Sequence, residues 1–413
     1  MRTYDIAVIG GGAAGCMAAI RAAQSEKSVA LIERNNDIGR KILLSGKGRC
    51  NVTNNASIDE CIERFGKRGR FLRSAFNEFY NEGVSEFFRS GGLKLKTERQ
   101  GRVFPDTDRA LSVVDVLRKS LRSPNIDLLL ERRVSSVVKK DDLFELLMNG
   151  TERVTAKKVI LATGGASFGK TGSTGDGYVI AKKLGHSIEP LRGALVPLKT
   201  KERWVKRLQG VALKNVRLLF KCGDTRLSTD IGECIFTHFG ISGPLILDKS
   251  GDVVDALREH KEIALLIDMK PALDQEKLKK RLMREFKGNG TSLIKNIMGR
   301  LLPGRCIPVF LELAGIDPGK RVNQISREER HAITHLLKNF PLTITSPLAL
   351  DNAMVTNGGV STKEIDPRTM GSNLLPGLFF AGEIIDGCAS SGGYNLQQAW
   401  STGYLAGEKA ASY

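Results

Sequence analysis

The chain has 413 residues, enough for two domains or for one large domain carrying an insertion, because single hydrophobic cores stop growing well below this length. Hydrophobic residues at 41% and charged residues at 26% lie near globular averages, which argues against extended disorder. The net charge of +18 is dense at residues 64–73, 199–207 and 277–287, the last with the spacing of a solvated helix face. These basic stretches carry no known nucleic-acid motif, so a nucleic-acid partner is not expected. No apolar run approaches the roughly 20 residues needed to cross a bilayer, and the start of the chain lacks the basic-then-apolar layout of a secretion signal. The 7 scattered cysteines include no C-x-x-C pair. A cytoplasmic protein with no membrane segment, disulfide framework or metal site is therefore expected.

In chain order, residues 4–9 (YDIAVI) predict a strand, and Gly10-Gly11-Gly12-Ala13-Ala14-Gly15 predicts a tight turn into a helix of small residues. Gly10 permits the turn, Gly12 lets backbone approach a pyrophosphate, and Gly15 lets the helix lie against the strand. The free N–H groups of the helix start then face the phosphate charge. A second strand at 28–32 ends in Glu33, placed to accept hydrogen bonds from ribose hydroxyls, with Arg34 beside it. These elements specify a dinucleotide without separating FAD from NAD.

Residues 39–54 (GRKILLSGKGRCNVTN) are dense in glycine, cations and small polar groups, a composition suited to wrapping a diphosphate. Lys41, Ser45, Gly46, Gly48, Arg49, Cys50 and Asn51 are the candidates there. Arg49 is the residue most suited to phosphate or to developing negative charge near a flavin. Cys50 and Cys388 read as small apolar fillers rather than redox groups. Residues 159–162 predict another strand entering Thr163, Gly164 and Gly165, but the Rossmann spacing is not repeated because Ala166 follows. No separate NAD(P) fingerprint is therefore present.

Proline at 190 and 197 punctuates a junction. Strands are expected at 211–222 and 233–239, an amphipathic helix at 275–286, and a second helix over 325–340 broken by Pro341. His331 and His335 are four apart on that helix, with no further metal-ligand pattern. His238, within THFGISGP, is the candidate for proton transfer. Near the end, residues 378–383 (LFFAGE) predict a buried strand reaching Gly382 and Glu383. Gly392-Gly393-Tyr394-Asn395-Leu396 then opens a helix running to Gly407. That helix start would aim its N–H groups at a flavin pyrimidine ring, with Glu383 at the ribityl hydroxyls. This second station favours FAD over NAD.

Together with ATGG at 162–165, GSTGDGY at 172–178 (which includes Asp176) and FTHFGISGP at 236–244, these motifs resemble bacterial flavoproteins of the aminoacetone-oxidase-like, or bile-acid-inducible flavoprotein, type. The ATGG and TGDG elements also resemble fumarate-reductase-type flavoproteins. The resemblance covers nearly the whole chain. It implies an α/β, glutathione-reductase-like Rossmann domain formed by residues 1–190 and 345–413, with a mixed strand-and-helix insertion at 191–344. It adds Val134 to the cofactor-contacting set. It implies an FAD-dependent oxidoreductase moving hydride between a small-molecule substrate and flavin, with oxygen or NAD(P)H as redox partner, and His238 and Tyr394 as catalytic candidates. Self-association is left open, and the alternative is a flavin-stabilised, RNA-associated or binding protein without turnover.

Overall fold

A computed structural model describes residues 2–412. The chain forms two compact units, one from residues up to Gly193 joined by those from Ala353 on, the other from Ala194–Asn352.

In the first unit, β1 (Thr3–Ile9) lies between β2 (Val29–Ile32) and the strand Glu152–Leu161, parallel to both. Ile6, Ala7 and Val8 are fully buried, so the strand reads as a continuous apolar run, as expected for a central parallel strand covered on both faces. The strand Ile126–Leu129 continues the sheet beyond β2. On the far side of Glu152–Leu161 the pairing changes partway along. Residues 152–156 pair antiparallel with Leu143–Met148, which is hairpinned to Val134–Lys140, whereas Val159–Leu161 pair in parallel with Leu378–Phe380. The end of the chain thus re-enters the sheet that its beginning starts.

Helix α1 (Ala13–Ala23) is buried on nearly every side because the C-terminal helix Tyr394–Ser412 packs across it. Small residues make this approach possible: an ideal Cβ on Gly403 or Gly407 would stand 2.3 Å from the carbonyl oxygen of Ala14 or Ala18. The C-terminal helix therefore runs past Gly407, the end read from the sequence, because that glycine is a packing residue and not a terminator. A short antiparallel sheet of Thr53–Asn54, Leu95–Thr97 and Arg102–Pro105 completes the region near the second glycine turn.

The second unit is an antiparallel sheet whose hydrogen-bonded circuit closes. In order it comprises Ala212–Cys222, Gly232–Phe236, Gly240–Ser242, Leu198–Thr200, Phe340–Pro347 and Ile263–Asp268, which pairs back to Ala212–Cys222. Closure leaves no strand of this circuit at a sheet edge, while the short strand Thr225–Ser228 pairs with Ala212–Cys222 outside it. Trp204, Phe236, Phe310 and Phe340 meet in its core. The helix Gln275–Phe286 forms as expected, capped by the Asp274 side chain. The next expected helix is shorter, Arg327–Lys338, opened by a Ser326–Glu329 capping box. Phe340 and Pro341 begin a strand instead, where a proline lacking its N–H is tolerated.

Candidate functional site

The first glycine turn is defined by what a side chain would strike. Gly10 has φ +108°, and an ideal Cβ there would lie 2.5 Å from the Ala162 carbonyl oxygen, while one on Gly15 would lie 1.8 Å from the Gly10 oxygen. Gly12 differs: its Cβ would meet nothing within 4 Å. Gly12 caps α1 with no side-chain hydrogen bond, and no acidic residue occupies the first turn, so Ala13, Ala14 and Gly15 start a helix without a built-in anionic partner. Glu33, almost fully buried, sits beneath the turn. Its Oε2 accepts from Gly11 N–H at 2.6 Å, and its Oε1 accepts from the backbone and side-chain nitrogens of Asn35 at 2.8 and 2.6 Å. One lone pair of Oε2 is left for a further donor. Arg34 and Asp176, both candidates, pair with each other at 3.1 Å, and Arg133 joins Asp176 at 2.8 Å. Burial works to raise the Asp176 pKa, but the Thr174 hydroxyl and the two guanidiniums hold it below the usual carboxylate value. Val134 begins the neighbouring strand and is buried.

A second cluster joins four distant segments. The Lys41 ammonium, from α2 (Arg40–Leu44), contacts both Glu383 oxygens at 3.0 and 2.7 Å and the Ser167 hydroxyl at 2.8 Å. Glu383 Oε1 also accepts from the Thr356 backbone N–H at 2.8 Å and from Ser167 Oγ at 3.1 Å. Gly165 is fitted against this cluster: a Cβ there would lie 2.3 Å from Thr356 Oγ1 and 2.7 Å from Glu383 Oε1. Lys41 and Glu383, read from the sequence as a phosphate ligand and a ribityl ligand, thus neutralise each other. Ser167 and Thr356 were not found from the sequence, since isolated hydroxyl residues carry no spacing signal.

The second glycine turn meets the 45–54 loop. Gly393 has φ +98°, and its Cβ would lie 2.4 Å from the Thr53 carbonyl oxygen and 3.0 Å from Asn51 Oδ1. Asn54 donates to the Gly392 carbonyl at 2.9 Å, and Trp400 Nε1 donates to the Val52 carbonyl at 3.0 Å. Gly382 reaches the first turn, its Cβ direction meeting Ala14 Cβ at 2.7 Å. Asn395 closes its own loop, accepting from Ala389 N–H and donating to Ala389 O, both at 2.9 Å, and Leu396 follows on the helix.

Within the 45–54 loop, Ser45 donates to the Ile42 carbonyl, and Gly46 and Gly48 adopt positive φ. Arg49 turns to Glu98 at 2.8 Å and Asp108 at 3.0 Å, over the Phe104 ring. Its charge is thus matched by carboxylates where the sequence placed a phosphate. Cys50 is fully buried, and burial pushes its thiol up to about 12. Tyr394 packs with Phe65, Leu72 and Phe76, and burial raises its phenol pKa. His238 belongs to the second unit, on an exposed turn, its ring edge-to-face with Phe239 at 4.9 Å. Asp386, also missed from the sequence, is buried and bonded to Arg68; burial raises its pKa while that guanidinium opposes the shift.

Among the described residues, two buried side-chain atoms in these loops have no hydrogen-bond partner: Asn51 Oδ1 and Thr163 Oγ1, the latter on the loop that continues into Gly164 and Gly165. Such atoms cost free energy unless satisfied. With the uncapped helix start and the open space at Gly12, they fit a bound polar dinucleotide.

Residues 4–409 match the family described as HI0933-like protein Rossmann domain. The chain belongs to this family. This HI0933-like protein is 35% identical over 408 residues to a 3-dehydro-bile acid delta(4,6)-reductase of Clostridium scindens, covering 98% of each chain. It is 30% identical over 404 residues to a ribosomal RNA dihydrouridine synthase of Escherichia coli, covering 98% of this chain and 97% of that one. Among solved structures, the fold is similar to a flavocytochrome c3 fumarate reductase (TM-score 0.54, 19% identity, 99% of this chain and 78% of that one). It is also similar to 3-ketosteroid delta1-dehydrogenase from Sterolibacterium denitrificans (TM-score 0.55, 14% identity, all of both chains). The chain thus belongs to a Rossmann-domain family of FAD-dependent oxidoreductases. Among the described residues, no helix is long and apolar enough to cross a membrane.

Proposed function

We propose that this protein reduces a carbon–carbon double bond conjugated with a carbonyl, drawing electrons from NAD(P)H. One observation carries this direction: relatives matched over nearly the whole chain are named for products or substrates of that chemistry, a 3-dehydro-bile acid and a dihydrouridine. A dienone and a uracil ring share an electron-poor alkene that accepts hydride at the carbon remote from the carbonyl. Bound FAD would supply that hydride. Gly12 and the start of α1 would bind its pyrophosphate, Glu33 its ribose, and Asn51 and Thr163 would gain the hydrogen bonds they lack. The start of the helix Tyr394–Ser412 would favour negative charge developing beside Gly392 and Gly393. Asp386, whose pKa burial raises while the paired Arg68 opposes the shift, is the candidate for the accompanying proton.

A small-molecule enone is the first substrate class. A uridine within RNA is the second, favoured by the net charge of +18 and by a further relative at 31% identity, the ribosomal RNA dihydrouridine synthase of Haemophilus influenzae. The test is anaerobic reduction of the protein with NADPH or NADH, followed by mixing with a steroid dienone or with unmodified ribosomal RNA. Flavin reoxidation with formation of the saturated product supports the proposal. Reduction by an amine, with reoxidation by oxygen alone, contradicts it.

A further inference from the structure

The segment Gly66–Leu72 is a 3₁₀ helix, in which side chains three residues apart eclipse one another. Lys67 and Arg70 have that spacing; Arg64 ends the preceding helix Ile58–Arg64 and Arg73 begins the next, Arg73–Glu78, and all four are exposed. The opposite face is fixed inward. Phe65 and Leu72 are buried, and a Cβ on Gly69 would lie 2.0 Å from the Ile62 carbonyl oxygen. Arg73 pairs with Asp59 at 2.6 Å, and Arg68 turns inward to the buried Asp386. Among the ion pairs of the described residues, none includes Arg64, Lys67 or Arg70; the nearby Glu60 is engaged in capping Ser57. This row leads to the second glycine turn: the Arg64 guanidinium lies 5.8 Å from the Tyr394 ring centroid, and Tyr394 directly follows Gly393.

We infer that Arg64, Lys67 and Arg70 form a docking ridge for the phosphodiester backbone of single-stranded RNA, presenting a base to the turn at Gly392 and Gly393. This deepens the RNA reading above and rests on it. Lys67 and Arg70, one turn apart on the 3₁₀ helix, stand about 6 Å apart along its axis, comparable to the spacing of neighbouring phosphates in one strand. A protein partner would call for an apolar anchor, and among the described residues no large exposed hydrophobic falls between residues 57 and 80. A ridge that reads only phosphates positions the strand, while the adjoining site selects the base.

The test uses the FAD-loaded full chain, a labelled single-stranded RNA oligomer, and a Lys67→Ala/Arg70→Ala variant whose flavin content reports that it has folded. The variant is expected to bind on the order of tenfold more weakly, and the slope of log affinity against log salt to shrink by about 1.4, two single-strand phosphate contacts. Wild-type binding with an unchanged slope in the variant overturns the ridge while leaving the RNA reading intact. Competition by polyglutamate as strong as that by RNA overturns the assignment of RNA as the ridge's partner. Failure of the wild type to bind RNA at low salt, with no dihydrouridine formed in ribosomal RNA, overturns the RNA reading and the ridge together.

Discussion

The two glycine turns of the first unit use the same residue for different physical reasons. In the first turn Gly15 is required by protein packing, because a methyl group there would overlap the Gly10 carbonyl at 1.8 Å, whereas Gly12 faces open space. In the second, Gly393 combines a left-handed backbone with contact against the Thr53 carbonyl at 2.4 Å. Packing demands Gly15 and Gly393 but not Gly12, which leaves Gly12 free to face a ligand.

The contrast can be broken by substitution. Gly15→Ala has the largest expected effect, about 4 kcal/mol or more of lost stability, seen as loss of soluble protein or of a cooperative thermal transition. Gly393→Ala combines strain and overlap and should cost about 2–3 kcal/mol in a denaturant titration, with weakened flavin retention.

A pH experiment sharpens the account of the C-terminal strand that leads to the second turn. His186 is buried, bonded to Ser372 Oγ at 2.8 Å and edge-to-face with Phe380 at 4.8 Å. Burial lowers its pKa below the ordinary 6.5, so the folded state favours neutral imidazole while the unfolded chain takes up a proton. Its contribution is fully present above pH 6.5 and is lost as pH falls through that value toward the folded pKa. His186→Gln should flatten this acid limb of the melting temperature; an unchanged limb would show that another group produces it. Gly12→Ala should have the smallest effect on stability, within about 0.5 kcal/mol, yet lower bound flavin at least tenfold. Equal loss of stability and flavin in this variant would erase the distinction between the two kinds of glycine.

Much of this was legible in the sequence because it is local. β1, the turn at Gly10 to Gly15, Glu33 after β2, and the helix Gln275–Phe286 follow from periodicity and from residues adjacent in the chain. What was not legible is combinatorial. Lys41 and Glu383 stand far apart in sequence, and nothing along the chain reveals that each is the other's counterion, or that Ser167 and Thr356 complete the cluster. The sequence assigns Arg49 to phosphate or to negative charge near a flavin, but its partners Glu98 and Asp108 come from a different segment. The closed circuit of the second unit depends on strand pairings that alternation of hydrophobicity cannot specify.

The most direct test of the central claim is a crystal structure of the protein with FAD bound. The account predicts one FAD per chain, its pyrophosphate at Gly12 and the start of α1, and its isoalloxazine against Gly392 and Gly393. A cofactor touching one of these turns and not the other would contradict it.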